Sequence, residues 1–122
     1  MARLLIIDDE IDVREFAANF FRRRKIDTLT ASGCEEAIGI LEKQKPHLVL
    51  LDIKMPGIDG IETLKRIKEK DQNTKVIMVT SRKPEEEEAF DKCRQLGALD
   101  YIHKPLELDE LERVVMGILN AT

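Results

Sequence analysis

Long apolar runs are missing from this sequence. The longest, such as Leu4 to Ile7 and Val76 to Val79, hold four residues, far short of the roughly 20 that a membrane-spanning helix needs. The N-terminal run is also too short for a signal-peptide core, and it leads into Asp8 and Asp9 rather than a small-residue cleavage site. A cytoplasmic chain without membrane contact is expected. Cysteine is scarce: Cys34 and Cys93 stand far apart and form no CxxC. That excludes a disulfide framework and a thiolate metal site, and leaves reduced, partly buried thiols on helices. No basic stripe is present, and 20 Lys and Arg face 24 Asp and Glu for a net charge of -4. Direct nucleic-acid binding is therefore not expected. Internal repeats, low-complexity tracts and long linkers are absent too. At 122 residues, the expectation is one domain over 1–122. Because it closes directly after its last helical pattern, no output domain is expected.

What the sequence does contain is a core and a regular alternation. Hydrophobic residues make up 43% and charged residues 36%, enough apolar surface to fold and too much for disorder. Leu4 to Ile7, Leu48 to Leu51 and Val76 to Val79 are continuous rather than alternating, the pattern of strands covered on both faces. Ile26 to Thr30 and Leu99 to Ile102 are weaker strand candidates. Between them, Val13, Phe16, Ala17, Phe20 and Phe21 share one helical face, as do Leu111, Val114, Val115, Ile118 and Leu119. Shorter versions are Ala37, Ile38 and Leu41, then Ile61, Leu64 and Ile67, then Phe90, Cys93 and Leu96. Asp12 with Glu15, Ser32 with Glu35, and Asp59 with Glu62 have the spacing of capping boxes. Gly97 falls where a helix C-terminal glycine belongs. Pro84 and Glu85 to Glu88 read as a helix start, and Arg22 to Lys25 as a helix end. Five β-α units predict an α/β fold, a doubly wound parallel five-stranded sheet with helices on both faces.

Polar residues follow the central strands: Asp8 and Asp9 after the first, Asp52 after the third, Thr80 after the fourth. In such sheets ligands sit beyond the carboxyl ends of the strands, where the strand order reverses. If the first strand lies beside the third, Asp8, Asp9 and Asp52 meet near one edge of the sheet, since neighbouring strands are about 4.8 Å apart. Their repulsion calls for a cation or for raised pKa values. An all-oxygen set suits a hard divalent ion such as Mg²⁺. Lys104, after the fifth strand, supplies a fixed positive charge at the same edge, and Pro105 restricts its backbone.

Leu5-Ile6-Ile7-Asp8-Asp9-Glu10, Leu50-Leu51-Asp52-Ile53-Lys54-Met55-Pro56-Gly57-Ile58-Asp59-Gly60, Val79-Thr80-Ser81 and Gly97 to Pro105 appear in order. With these motifs the whole chain resembles the receiver domains of two-component response regulators, especially the single-domain chemotaxis type. The resemblance implies a flavodoxin-like strand order 2-1-3-4-5. It implies that Asp52 is the phosphoacceptor, a nucleophile forming an acyl phosphate. Mg²⁺ would be held by Asp8, Asp9, Asp52 and the backbone carbonyl of Lys54. Lys104 and Thr80 would contact the phosphoryl oxygens. Thr80 and Tyr101 would form the switch, with Tyr101 moving from exposed to buried behind Thr80. The Lys104-Pro105 bond would be cis. Phosphoryl donors would be a sensor histidine kinase or a phosphotransfer protein. The face of the fourth helix, fifth strand and fifth helix would take an effector protein or a second copy as a homodimer. The chain would be a regulator assisting its own phosphorylation and dephosphorylation, not a metabolic enzyme.

Some positions depart from the family pattern. Lys104 follows Thr80 by 24 positions, a longer spacing than usual, with the extra residues between Ser81 and Glu88. Ser81 replaces a common alanine. Lys54 and Arg82 flank the pocket, where two cations would shield the acyl phosphate from water or attract anionic donors. His47 is expected at the surface and His103 near the switching face. Two other functions were weighed. A haloacid-dehalogenase-type phosphatase also uses Asp, Thr and Lys at strand ends, but Asp8-Asp9-Glu10 lacks its Asp-x-Asp pattern. A degenerate receiver acting as a scaffold would not keep every pocket residue.

Overall fold

A computed structural model describes residues 2–53, 60–81 and 84–120, with side chains not described for 84–87. Five strands, β1 (Arg3–Ile7), β2 (Asp27–Ala31), β3 (Leu48–Asp52), β4 (Lys75–Thr80) and β5 (Asp100–His103), form one sheet. Its order is β2-β1-β3-β4-β5 and every pairing is parallel, as the sequence led us to expect. The β-branched and leucine-rich runs fit because alternate residues of each strand enter two different cores. Leu4, Ile6, Leu50, Ile77, Val79 and Ile102 face one way. They pack on α1 (Ile11–Arg23) and on the C-terminal helical segment, which comprises α5 (Leu108–Leu111), a π-helical turn (Glu112–Met116) and α6 (Gly117–Asn120). Leu5, Ile7, Val49, Leu51, Val76 and Met78 face α2 (Cys34–Lys43), α3 (Gly60–Lys70) and α4 (Pro84–Gln95). Each fully buried Leu or Ile contributes about 1.5–3 kcal/mol of transfer free energy, so both layers are held by apolar burial. Cys34 and Cys93 are buried and form no disulfide with each other.

Helix ends follow local chemistry, not always the predicted caps. Gly97 adopts φ +104°. The amide of Gly97 donates to Arg94 and that of Ala98 to Cys93, the bonding of a Schellman end to α4. The end of α1 repeats it with Lys25 and Ile26 donating to Arg22 and Phe21, yet here the left-handed residue is Lys25 at φ 62°. The predicted N-caps Asp12 and Ser32 are displaced. Helix α1 opens at Ile11 behind Glu10, and α2 at Cys34 behind Gly33. Asp12 instead lies in the first turn, where its charge favours the helix dipole, and Ser32 bonds the Glu36 carboxylate. Asp59 lies outside the described residues. Phe16, assigned to the apolar face of α1, is 47% exposed. Ala17, Ala18, Phe20 and Phe21 fill that interface instead. Pro84 does begin α4.

Candidate functional site

The order β2-β1-β3 makes β1 and β3 neighbours, with Ile7 opposite Leu51. Asp8 and Asp52 therefore leave the sheet side by side, as expected from strand order. Both are buried, with 3% exposure each, whereas Asp9 is exposed. One carboxylate oxygen from each of Asp8, Asp9 and Asp52 lies within 4.8 Å of the others. Asp8 is pinned on every side. Its amide donates to Ala31, its Oδ1 accepts the Glu10 amide at 2.9 Å, and its carbonyl accepts from Arg14 at 2.8 Å. The carboxylate that serves the pocket thus also satisfies the chain entering α1, which is why Asp12 is not needed as a cap.

Strand β5 brings the lysine. The Lys104 amide donates to the Thr80 carbonyl at 2.8 Å, and the Lys104-Pro105 bond is cis. The Lys104 ammonium lies 3.0 Å from Asp52, 3.6 Å from Asp8 and 3.4 Å from Glu10. Burial disfavours this ammonium's charge, but its hydrogen bond to Asp52 and the charges of Asp52, Asp8 and Glu10 outweigh burial and hold its pKa above the usual lysine range. Burial pushes the Asp8 carboxyl up, against the opposing pull of the Glu10 amide and of Lys104. The contact to Glu10 was not anticipated; its position two residues beyond Asp8 was the available signal.

On the floor of the pocket, Gly60 permits a close approach. A Cβ there would stand 2.3 Å from the Asp52 carbonyl oxygen and 2.6 Å from Ile53, distances no side chain tolerates. The Gly60 amide donates to the Ile53 carbonyl at 2.7 Å, and the Ile53 amide to Val79 at 2.9 Å. The end of β3 is therefore clamped between α3 and β4. Lys54, whose carbonyl is the remaining expected ligand, lies outside the described residues, as do the Met55-Pro56-Gly57 turn and Arg82.

Thr80 is 1% exposed and its hydroxyl donates to the Ser81 carbonyl at 2.8 Å. Tyr101 is 38% exposed. Its ring meets Phe90 edge-on at 4.6 Å and His103 at 4.8 Å. Thr80, Phe90, Arg94, Tyr101 and His103 surround a cavity of about 240 Å³. Thus both residues expected to switch border one space. His47 is exposed and its Nδ1 accepts the Arg3 amide at 2.9 Å.

An acidic pocket thus lies at the carboxyl edge of a 2-1-3-4-5 sheet, closed by a lysine after the last strand. The chain matches the response regulator receiver domain over residues 4–116, and it belongs to that family of two-component signalling proteins. Sporulation initiation phosphotransferase F of Bacillus subtilis is 38% identical over 117 residues, which are 96% of this chain and 93% of that protein. Regulatory protein AtoC of Escherichia coli is also 38% identical over 117 residues, but these form 25% of its length. The crystal structure of the receiver domain of NtrX from Brucella abortus superposes with a TM-score of 0.88 at 30% identity, covering 98% of this chain and 99% of that one. A CheY-like receiver domain protein from Methanospirillum hungatei gives 0.89 at 26% identity, covering 99% and 95%.

Proposed function

We propose that this chain, read as one receiver domain over 1–122, is a phosphorylation switch that accepts a phosphoryl group on Asp52 in a Mg²⁺-dependent reaction. The observation that carries the reading is the buried Asp52 carboxylate, held 3.0 Å from the Lys104 ammonium beside two further carboxylates. An oxygen of Asp52 attacks the phosphorus of a phosphohistidine. The P–N bond breaks as the P–O bond forms, and the imidazole leaves with the electron pair. Asp8, Asp9 and Asp52 offer the oxygen ligands a hard cation prefers, and the Lys54 carbonyl completes the proposed set. Bound there, Mg²⁺ would neutralise charge on the transferring group. Lys104 holds Asp52 in place and, once the acyl phosphate forms, pairs with a phosphoryl oxygen. Thr80 gives up the Ser81 carbonyl to donate to another oxygen. Tyr101 then moves into the space beside Thr80, so a local contact biases a two-state face.

The donor is a sensor histidine kinase or a phosphotransfer protein. Exposed Phe16 (47%) borders a surface pocket together with Glu10, Lys104 and Leu106, which suits a donor presented by a protein surface. Output is altered binding at the face of α4, β5 and the C-terminal helical segment, to an effector protein or a second copy of this chain. The chain acts as a regulator that assists its own phosphoryl gain and loss. The proposed site of action is the cytoplasm, and among the described residues no helix is long and apolar enough to cross a membrane. Incubation with Mg²⁺ and acetyl phosphate, followed by intact mass, tests the reading. Wild type should gain one base-labile phosphoryl group that Asp52→Asn and EDTA both abolish. Equal gain by Asp52→Asn would refute the assignment.

A further inference from the structure

The cavity beside Thr80 contains a group that the switch, as proposed, does not use. His103 Nδ1 is buried and has no hydrogen-bond partner among the described residues. Native proteins leave few buried polar atoms in this condition, and each calls for a partner or another explanation. The fold points to that partner. His103 is the register mate of Thr80 across β4 and β5, and registered residues on parallel strands project from the same face. Both side chains line the cavity of about 240 Å³, which is large enough for a side chain to turn within it. Thr80 Oγ1 meanwhile uses its proton on the Ser81 carbonyl and can still accept.

We propose that His103 is a positioning residue of the switch: in the phosphorylated protein its Nδ1–H donates to Thr80 Oγ1 and holds that hydroxyl toward the phosphoryl group. The inference rests on the phosphoacceptor reading of Asp52. Turning Thr80 into the pocket sacrifices its bond to Ser81, and the donor at His103 replaces the lost contact. The donors then run in one direction, from Nδ1–H to Oγ1 and from the Oγ1 hydroxyl to a phosphoryl oxygen, so each bond polarises the next. The imidazole takes a proton at Nδ1 and releases one from Nε2 through solvent, the tautomer following the partner each nitrogen finds.

Ring-nitrogen NMR on the intact chain tests this directly. There are two histidines, so a His47→Gln variant assigns the signals. With Asp52 phosphorylated by acetyl phosphate and Mg²⁺, and with intact mass confirming the phosphoryl group, His103 Nδ1 should change from unprotonated to protonated. An unchanged tautomer in a protein shown to be phosphorylated overturns the inference and leaves the phosphoacceptor reading standing. Failure of wild type to gain the phosphoryl group from acetyl phosphate or any histidine donor removes both. Two variants supply the second readout, the position of the Thr80 methyl resonance. His103→Leu keeps bulk without a donor and should lower the ratio of pocket-facing to Ser81-facing Thr80 about fivefold, the effect of one net hydrogen bond. His103→Asn returns an N–H near the place of Nδ1 and should recover most of that ratio. Equal ratios in all three proteins, or equal losses in Leu and Asn, would show that the donor is irrelevant.

Discussion

Replacing Lys104 with methionine keeps the length of the side chain and deletes the ammonium 3.0 Å from Asp52 and 3.6 Å from Asp8. At an effective dielectric near 20, each attraction is about 5 kcal/mol. The net loss is smaller, because the ammonium no longer has to be desolvated and an orphaned carboxyl can take up a proton. Protonating an ordinary Asp at neutral pH costs about 4 kcal/mol, which limits the penalty for either group. Truncating one partner of a buried pair costs about 3–5 kcal/mol, and Lys104 retains 22% side-chain exposure. A loss of roughly 2–4 kcal/mol at neutral pH in EDTA is therefore expected from urea unfolding. The pH dependence has a definite sign. Burial raises the folded pKa of Asp8 above 3.8, so ionised Asp8 opposes folding above that pKa, and the opposition fades as pH falls toward 3.8. Without Lys104 that opposition is larger, so acid should narrow the gap between variant and wild type. Lys104 itself, with a pKa raised above 10.5, gives its full contribution below 10.5 and loses it only as pH climbs through the folded value. A variant as stable as wild type at neutral pH, or a gap that widens in acid, would refute this electrostatic account.

Asp8→Asn keeps the oxygen that accepts the Glu10 amide while removing one of the crowded charges. In EDTA it should raise stability by about 1 kcal/mol, and the rise in melting temperature that Mg²⁺ should give wild type should disappear. Gly60→Ala forces a Cβ against the Asp52 carbonyl oxygen. Thermal melts should show a loss of about 3 kcal/mol or more, and any folded fraction should phosphorylate more slowly. Lys25→Gly relieves a side chain held at φ 62° and should stabilise the chain by about 0.5–1 kcal/mol in urea melts, with phosphorylation unchanged.

Strand placement was legible because burial on both faces leaves continuous apolar runs that nothing else in the chain imitates. Leu48 to Leu51 and Val76 to Val79 each mark a strand to within a residue. The acidic residues of the pocket were equally visible, since strand order alone carries Asp8 and Asp52 to one edge. What stayed hidden depends on three-dimensional competition. Asp12 and Ser32 have capping spacing, but α1 starts earlier because the Asp8 carboxylate meets the Glu10 amide. Phe16 fits a helical face by period and is nonetheless exposed, because Ala17, Ala18, Phe20 and Phe21 fill the buried side of α1. The π-helical turn at Glu112–Met116 left the apolar repeat of Leu111, Val114, Val115 and Leu119 intact and gave no cue. Gly60 read as part of a motif; that its missing Cβ makes room for the Asp52 carbonyl emerges only from the packing of α3 on β3.

Tyr101 has a consequence for how this protein can be observed. The chain has one tyrosine and no tryptophan, so its near-ultraviolet emission comes almost wholly from the ring wedged between Phe90 and His103. That ring borders the same cavity as Thr80. The ring would therefore report on the switch proposed for Thr80 and Tyr101 as light from a single side chain, with no label to disturb the surface that partners would touch.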